Sequence, residues 1–154
     1  MFAKTLLALF AGAVAVSAAP TEKRSAYYTD LAENKTIEGG QATFYDAGEN
    51  QGYCGYYNQG SQYVVAMNRP QLEGDAMCGN YVEITNTENG QKQVAQIVDE
   101  CPECKYGSLD MSHSLFAALV PGENWEGKGV FPITYQFLPT DYKPAPGSPV
   151  PAKP

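Results

Sequence analysis

Apolar and polar residues alternate through the middle of the chain, the mark of short strands that each bury one face. Alternation, together with the continuous apolar run Tyr63–Met67, predicts strands over Gln41–Tyr45, Tyr63–Met67, Tyr81–Asn86, Gln93–Val98 and Ile133–Leu138. Asn89-Gly90 lies between the third and fourth of these, and Asn-Gly between two strand-like runs signals a tight hairpin. The period changes once: Leu115, Phe116, Leu119 and Val120 share a helical face, with Ser112 as N-cap and Pro121-Gly122 as the stop. Short strands, one short helix and frequent glycine turns predict a mainly β fold. A small closed barrel is the natural form, since closure removes exposed strand edges.

The flanks follow other rules. Lys4, the apolar run Leu6–Val16 and Ser17-Ala18-Ala19 predict a secretory signal over residues 1–19, the run being too short to span a bilayer. Residues 20–24 end in the dibasic pair Lys23-Arg24 and read as a propeptide cut before Ser25. Residues 25–38 are polar, lack alternation and carry the N-glycosylation sequon Asn34-Lys35-Thr36, so they read as a flexible arm. Residues 139–154 contain six prolines and read as an extended polyproline-like tail, a spacer or disordered, with no core of its own. The folded unit is therefore 39–138.

Composition narrows the chemistry. Among 154 residues there are four Cys, one His and one Trp, too few for a zinc cluster, a haem pocket or a histidine-driven nucleophile. Chemistry would run on carboxylates, with no metal and no cofactor. The formal charge is −7, and loss of residues 1–24 removes Lys4, Lys23, Arg24 and Glu22, leaving 7 basic and 16 acidic residues. Such a surface does not grip phosphate backbones, so nucleic acid is not an expected partner; nor is a membrane, and a monomer is expected.

Secretion makes bridges the default state of Cys54, Cys78, Cys101 and Cys104. Three pairings are open, and Cys54 with Cys78 plus Cys101 with Cys104 is preferred over a zinc site or a redox Cys-x-x-Cys. The first would close a loop of roughly 25 residues and stabilise by about 3 kcal/mol; the second would fix a turn.

The ordered series Ala42-Thr43-Phe44-Tyr45, Gly52-Tyr53-Cys54-Gly55, Val64-Val65-Ala66-Met67, Cys78-Gly79, Val98-Asp99-Glu100-Cys101-Pro102-Glu103-Cys104 and Leu109-Asp110-Met111-Ser112 resembles the rare lipoprotein A-like, barwin-like and expansin-like superfamily. It is similar in particular to small secreted single-domain members known mainly from fungi, and to barwin-like protease inhibitors of streptomycetes. The resemblance spans 40–138 and implies a six-stranded double-psi β-barrel whose groove, in expansins and family 45 endoglucanases, holds a polysaccharide.

Carried over residue by residue, Asp110 resembles the general acid of family 45 endoglucanases and the required Asp of expansins. Its other reading is a carboxylate at a helix entrance, favourable to free amides and the helix dipole. Asp99 matches a second acidic position shared with expansins, or it satisfies backbone N–H groups of a tight turn. Thr43 and Tyr45 resemble the Thr-x-Tyr of family 45, whose catalytic base lies two residues beyond the Tyr. Ala47 occupies that place here. Asp46 comes one residue too early and would face the other way. An inverting glycosidase needs that second carboxylate, so a non-hydrolytic groove is expected, with Thr43, Tyr45, Asp99 and Asp110 as its binding set.

Tyr53, Tyr56, Tyr57 and Tyr63 cluster near Cys54 and could stack on sugars, anchor a protein or pack on the barrel. Trp125 lies in a glycine-flanked loop, exposed or half-buried, and His113 reads as an exposed residue of the first helical turn. Three functions follow. The first is a secreted, wall-associated module binding a neutral or cationic polysaccharide, polyanions being disfavoured by the acidic chain. The second is a protein-binding module such as a protease inhibitor or secreted effector, and the third a weak glycosidase using Asp110. For the bridges, the intact secreted protein is expected to weigh about four hydrogens less than its reduced form and to resist thiol labelling.

Overall fold

The computed structural model describes residues 35–153. The signal, the dibasic site and Asn34 lie outside the described residues. The strands are β1 (Ile37–Tyr45), β2 (Val64–Asn68), β3 (Tyr81–Asn86), β4 (Lys92–Cys101), β5 (Leu109–Ser112) and β6 (Phe131–Phe137). They close into a ring in the order β1-β5-β2-β4-β3-β6, β6 returning to β1. Two parallel pairs, β1/β5 and β2/β4, are joined by antiparallel pairing of β2 with β5. This is the six-stranded double-psi β-barrel implied by the family resemblance.

Period-two burial drives closure. In β6, Phe131, Ile133, Tyr135 and Phe137 point inward while Pro132 faces out. They meet Val65, Met67, Val82, Ile84, Ile97, Leu109 and Met111 in one core. β2 departs from alternation because both its faces are covered. Its outward Val64 joins Ala47 and Val98 in a satellite core, against which Tyr45 and Tyr56 pack.

Among the described residues three helices form rather than one: α1 (Arg69–Leu72), α2 (His113–Leu119) and α3 (Trp125–Lys128). The two additional helices span four residues each, too short to show periodicity, and rest on side-chain caps. Asn68 Oδ1 accepts from the Gln71 amide, and Asn124 Oδ1 from the Gly127 amide. α2 follows the expected face, but Ser112 does not cap it with its side chain. Ser112 ends β5, and its hydroxyl donates to the Gln62 carbonyl at 2.6 Å. The other end of α2 is held by the Asn89-Gly90 hairpin, where Asn86 and Asn89 both donate to the Leu119 carbonyl at 2.9 Å.

β1 begins at Ile37, inside the expected arm, where it pairs with Tyr135. The C-terminal segment also departs from expectation, for residues 139–153 form a strap on the barrel. The Tyr63 amide donates to the Pro149 carbonyl at 2.9 Å, the Tyr81 hydroxyl to the Pro151 carbonyl at 3.0 Å, and Val150 is buried. Proline loses little conformational freedom on ordering, so a proline-rich segment can dock with few contacts. The bridges are Cys54–Cys78 and Cys101–Cys104.

β1 meets the loop before β5 at two glycines. A Cβ on Gly40 would lie 1.7 Å from the Gly107 carbonyl oxygen, a backbone atom with no rotamer to yield. Gly40→Ala is therefore expected to part β1 from that loop and cost about 1–3 kcal/mol or more, read as a lowered Tm. Gly60→Ala, in open space, is the control expected to leave Tm nearly unchanged.

Candidate functional site

The site grows from a register shift. Val64 pairs with Gln96 and Val65 with Ile97, but Ala66 pairs with Asp99, so Val98 is an extra residue in β4. Such a bulge reverses which side chains face out beyond it. Val98 lies in the satellite core and Asp99 opens onto the surface beside Ala66. Ala66 also pairs with Asp110 of β5, and Asp110 with Thr43 of β1. Thr43, Asp110, Ala66 and Asp99 thus form one row across four strands. Two strand spacings separate the Cα atoms of the two aspartates, about 10 Å, with only the Ala66 methyl between them.

Within the row, Thr43 Oγ1 donates to Asp110 Oδ1 at 2.7 Å. Burial pushes the Asp110 carboxyl above its ordinary value. The Thr43 hydroxyl and the Met111 amide oppose that rise, the Asp99 charge adds to it, and His113 offsets part of it. Asp110 belongs to β5, not to the helix entrance, so its partner is Thr43 and not a cap amide of α2. Tyr45 lies two residues beyond Thr43. Burial, then the charges of Asp99 and Asp110, push its phenol far up, so its hydroxyl remains a neutral donor.

Asp99 is bound differently. Its Oδ1 accepts from the Tyr53 amide at 2.7 Å and the Glu100 amide at 2.8 Å, which ties the 46–63 loop to the bulge. The turn-satisfying reading of Asp99 is the one its bonds support. Ala47 is buried, and Asp46 accepts from the Gly48 amide at the surface, so neither adds a carboxylate to the row.

Two adjoining hollows of about 250 and 300 Å³ flank Asp110. The first lies over Ala66 between Tyr45 and Asp99; the second runs past Thr43 to Gln41, Ser108 and Lys105. Cys101 and Glu103 line both, so the Cys101–Cys104 turn forms their shared wall. Arg69 Nε and Nη2 both donate to Glu100 beside it. The sequence reading missed Ala66, Glu103, Ser108 and Gln41 as lining. Ala66 looks like an ordinary strand alanine until the bulge sets it between two acids.

The tyrosines divide. Tyr53 and Tyr57 are exposed, at 53% and 80%, whereas Tyr56 packs on the satellite core and Tyr63 on the main one. Trp125 is half-buried, with its ring 5.0 Å from Phe44 and 5.1 Å from His113. His113 is half-buried in that stack rather than exposed.

Residues 23–139 match the Barwin family. The chain belongs to that family. Among curated relatives, Allergen Asp f 7 of Aspergillus fumigatus is 40% identical over 84 residues, 52% of this chain and 30% of the allergen. The chain thus spans less than a third of that relative's length. Among solved structures, the Clavibacter michiganensis expansin is 29% identical, with a TM-score of 0.60 over 71% of this chain and 53% of the expansin. A variant of that expansin was solved in complex with cellohexaose. The Streptomyces papain inhibitor is 30% identical, with a TM-score of 0.55 over 68% of this chain and 96% of its own.

The raised Asp110 carboxyl has a definite stability sign. A carboxyl lifted by burial favours folding below its ordinary 3.8 and loses that contribution as pH rises through the folded value. Asp110→Asn keeps an acceptor for Thr43 and removes the buried charge. Its Tm is therefore expected to equal or exceed that of the parent at pH 7, with the difference vanishing below about pH 4.

Proposed function

We propose that this Barwin-family chain is a secreted module that holds a neutral wall polysaccharide, such as cellulose, chitin or β-glucan, along the Asp110 groove without cleaving it. The observation that carries the reading is the row itself. A shallow, open channel crosses four strands, with one carboxylate, Asp110, set to meet a ligand and the other, Asp99, committed to backbone amides. Glycosidases of the inverting kind need a second carboxylate ready to activate water. Asp110, Thr43 and the neutral Tyr45 hydroxyl offer the mixture of acceptors and donors that sugar hydroxyls require. The binding of cellohexaose by a related expansin supports the same ligand class. The two disulfides accord with an oxidising, extracellular setting.

A second reading, a protein-binding module such as a protease inhibitor, draws on the likeness to the papain inhibitor over nearly all of that protein. It also draws on Tyr53 and Tyr57, exposed on the loop that Asp99 ties down.

Retention on insoluble cellulose, chitin and β-glucan tests the first reading. Asp110→Asn is expected to weaken retention tenfold or more, as loss of a charge-assisted hydrogen bond of about 1.5–3 kcal/mol requires. Soluble oligosaccharides are expected to stay intact. Shorter products that vanish in Asp110→Asn would instead establish hydrolysis. Stoichiometric inhibition of papain without glycan retention would establish the second reading.

A further inference from the structure

Away from the groove, the strap over the barrel has the chemistry of a ligand. Covalent geometry biases Pro149-Val150-Pro151 to the polyproline II conformation: each proline fixes its own φ, and each restricts the residue before it. Its peptide groups are read one by one. The Tyr63 amide donates to the Pro149 carbonyl and the Tyr81 hydroxyl to the Pro151 carbonyl. Val150 between them is buried at 7% exposure. Lys153 follows two residues after Pro151, its Nζ donating to Asn80 Oδ1 at 2.8 Å and lying 5.9 Å from the centre of the Tyr81 ring. Tyrosine rings, donors aimed at proline carbonyls and a subsite for a flanking cation are how a protein surface recognises a proline-rich peptide.

The seat is also roomier than its occupant. A hollow of about 260 Å³ lies beside Val150, walled on the barrel side by Tyr63, Glu83, Lys92 and Val94 and on the other by the strap's own Tyr142 and Ala145. A side chain larger than valine fits there.

We propose that the barrel face formed by Tyr63, Asn80 and Tyr81 is a binding site for a Pro-x-Pro-x-Lys segment of another protein, occupied in cis by residues 149–153. The tail is a resident competitor. Tethering gives it a millimolar effective concentration, so an incoming segment displaces it only by binding better, most directly through a larger residue at the Val150 position. The acidic chain favours a basic incoming segment. The site is separate from the Asp110 groove and does not depend on what that groove binds.

The test uses the full-length chain and NMR, which reads weak binding at the Tyr63 amide. The probe is a capped peptide with the sequence of residues 147–153. Val150→Asp unseats the tail. In that variant the peptide is expected to shift the Tyr63 amide saturably, while the parent chain needs at least tenfold more peptide for the same shift. A peptide with leucine at the valine position is expected to bind tighter, and one with both flanking prolines replaced by alanine at least tenfold weaker. If Val150→Asp fails to fold, Pro149→Ala with Pro151→Ala, which leaves the barrel face intact, loosens the tail and serves instead. An unmoved Tyr63 amide in a folded, unseated variant would overturn the proposal. So would equal binding of the alanine peptide, or a dimer formed by tail exchange that takes up no free peptide.

Discussion

The extra residue in β4 is the constraint on which the site depends. Val98 takes a place in the ladder without a partner on β2, and every residue beyond it reverses face. Without it Asp99 would turn toward the barrel interior, where an unpaired carboxylate is costly. With it, the valine closes a satellite core and the aspartate binds the Tyr53 amide. The same carbonyl that belongs to the bulge, that of Val98, accepts from the Cys54 amide at 3.2 Å. One irregularity therefore positions an acid, a loop and the first disulfide together. Gly52 sits so close above it that a Cβ there would lie 2.6 Å from the Val98 oxygen.

Electrostatics in the groove follow from that placement. The Asp99 charge adds to the cost of ionising Asp110, and the two carboxylates are bound unequally. Asp99 receives two backbone donors, one from the 46–63 loop and one from β4 itself, while Asp110 receives a hydroxyl and remains half-buried. The Tyr45 phenol, facing both, is held neutral. The groove thus sets an aspartate committed to backbone amides beside one whose carboxyl is pushed above its ordinary value by burial, a surface suited to polar uncharged chains more than to polyanions.

Much of this was legible in the sequence, and the rest was hidden for identifiable reasons. Alternation disclosed the strands that bury one face, the apolar run Tyr63–Met67 disclosed β2, which is covered on both, and Asn89-Gly90 disclosed the hairpin. β5 escaped as a strand because Leu109–Ser112 is four residues long and runs directly into a helix. That merger also placed Asp110 at a helix end when it stands in a sheet. Asp110, Asp99, Thr43 and Tyr45 were identified through the family resemblance, yet the row that joins the first three depends on a bulge and on pairings between residues far apart in the chain, which no local pattern records. The prolines of 139–154 misled for a different reason. Composition reports what a segment cannot bury by itself, and Val150 is buried on the barrel between two prolines whose carbonyls bond to Tyr63 and Tyr81.

Ring closure has a temporal consequence. β1, the first strand, has as its neighbours only β5 and β6, the last two, and the Thr43–Asp110 bond joins residues 67 apart. No nascent chain can complete the barrel until β6 has emerged, and pairing over such distances is intrinsically slow. The Cys54–Cys78 bridge spans only 24 residues and can close while β1 still waits. During that interval β1 presents an unpaired edge, and Gly39 and Gly40 within it weaken its propensity to join another chain. The glycine that lets the finished barrel shut also protects the unfinished one.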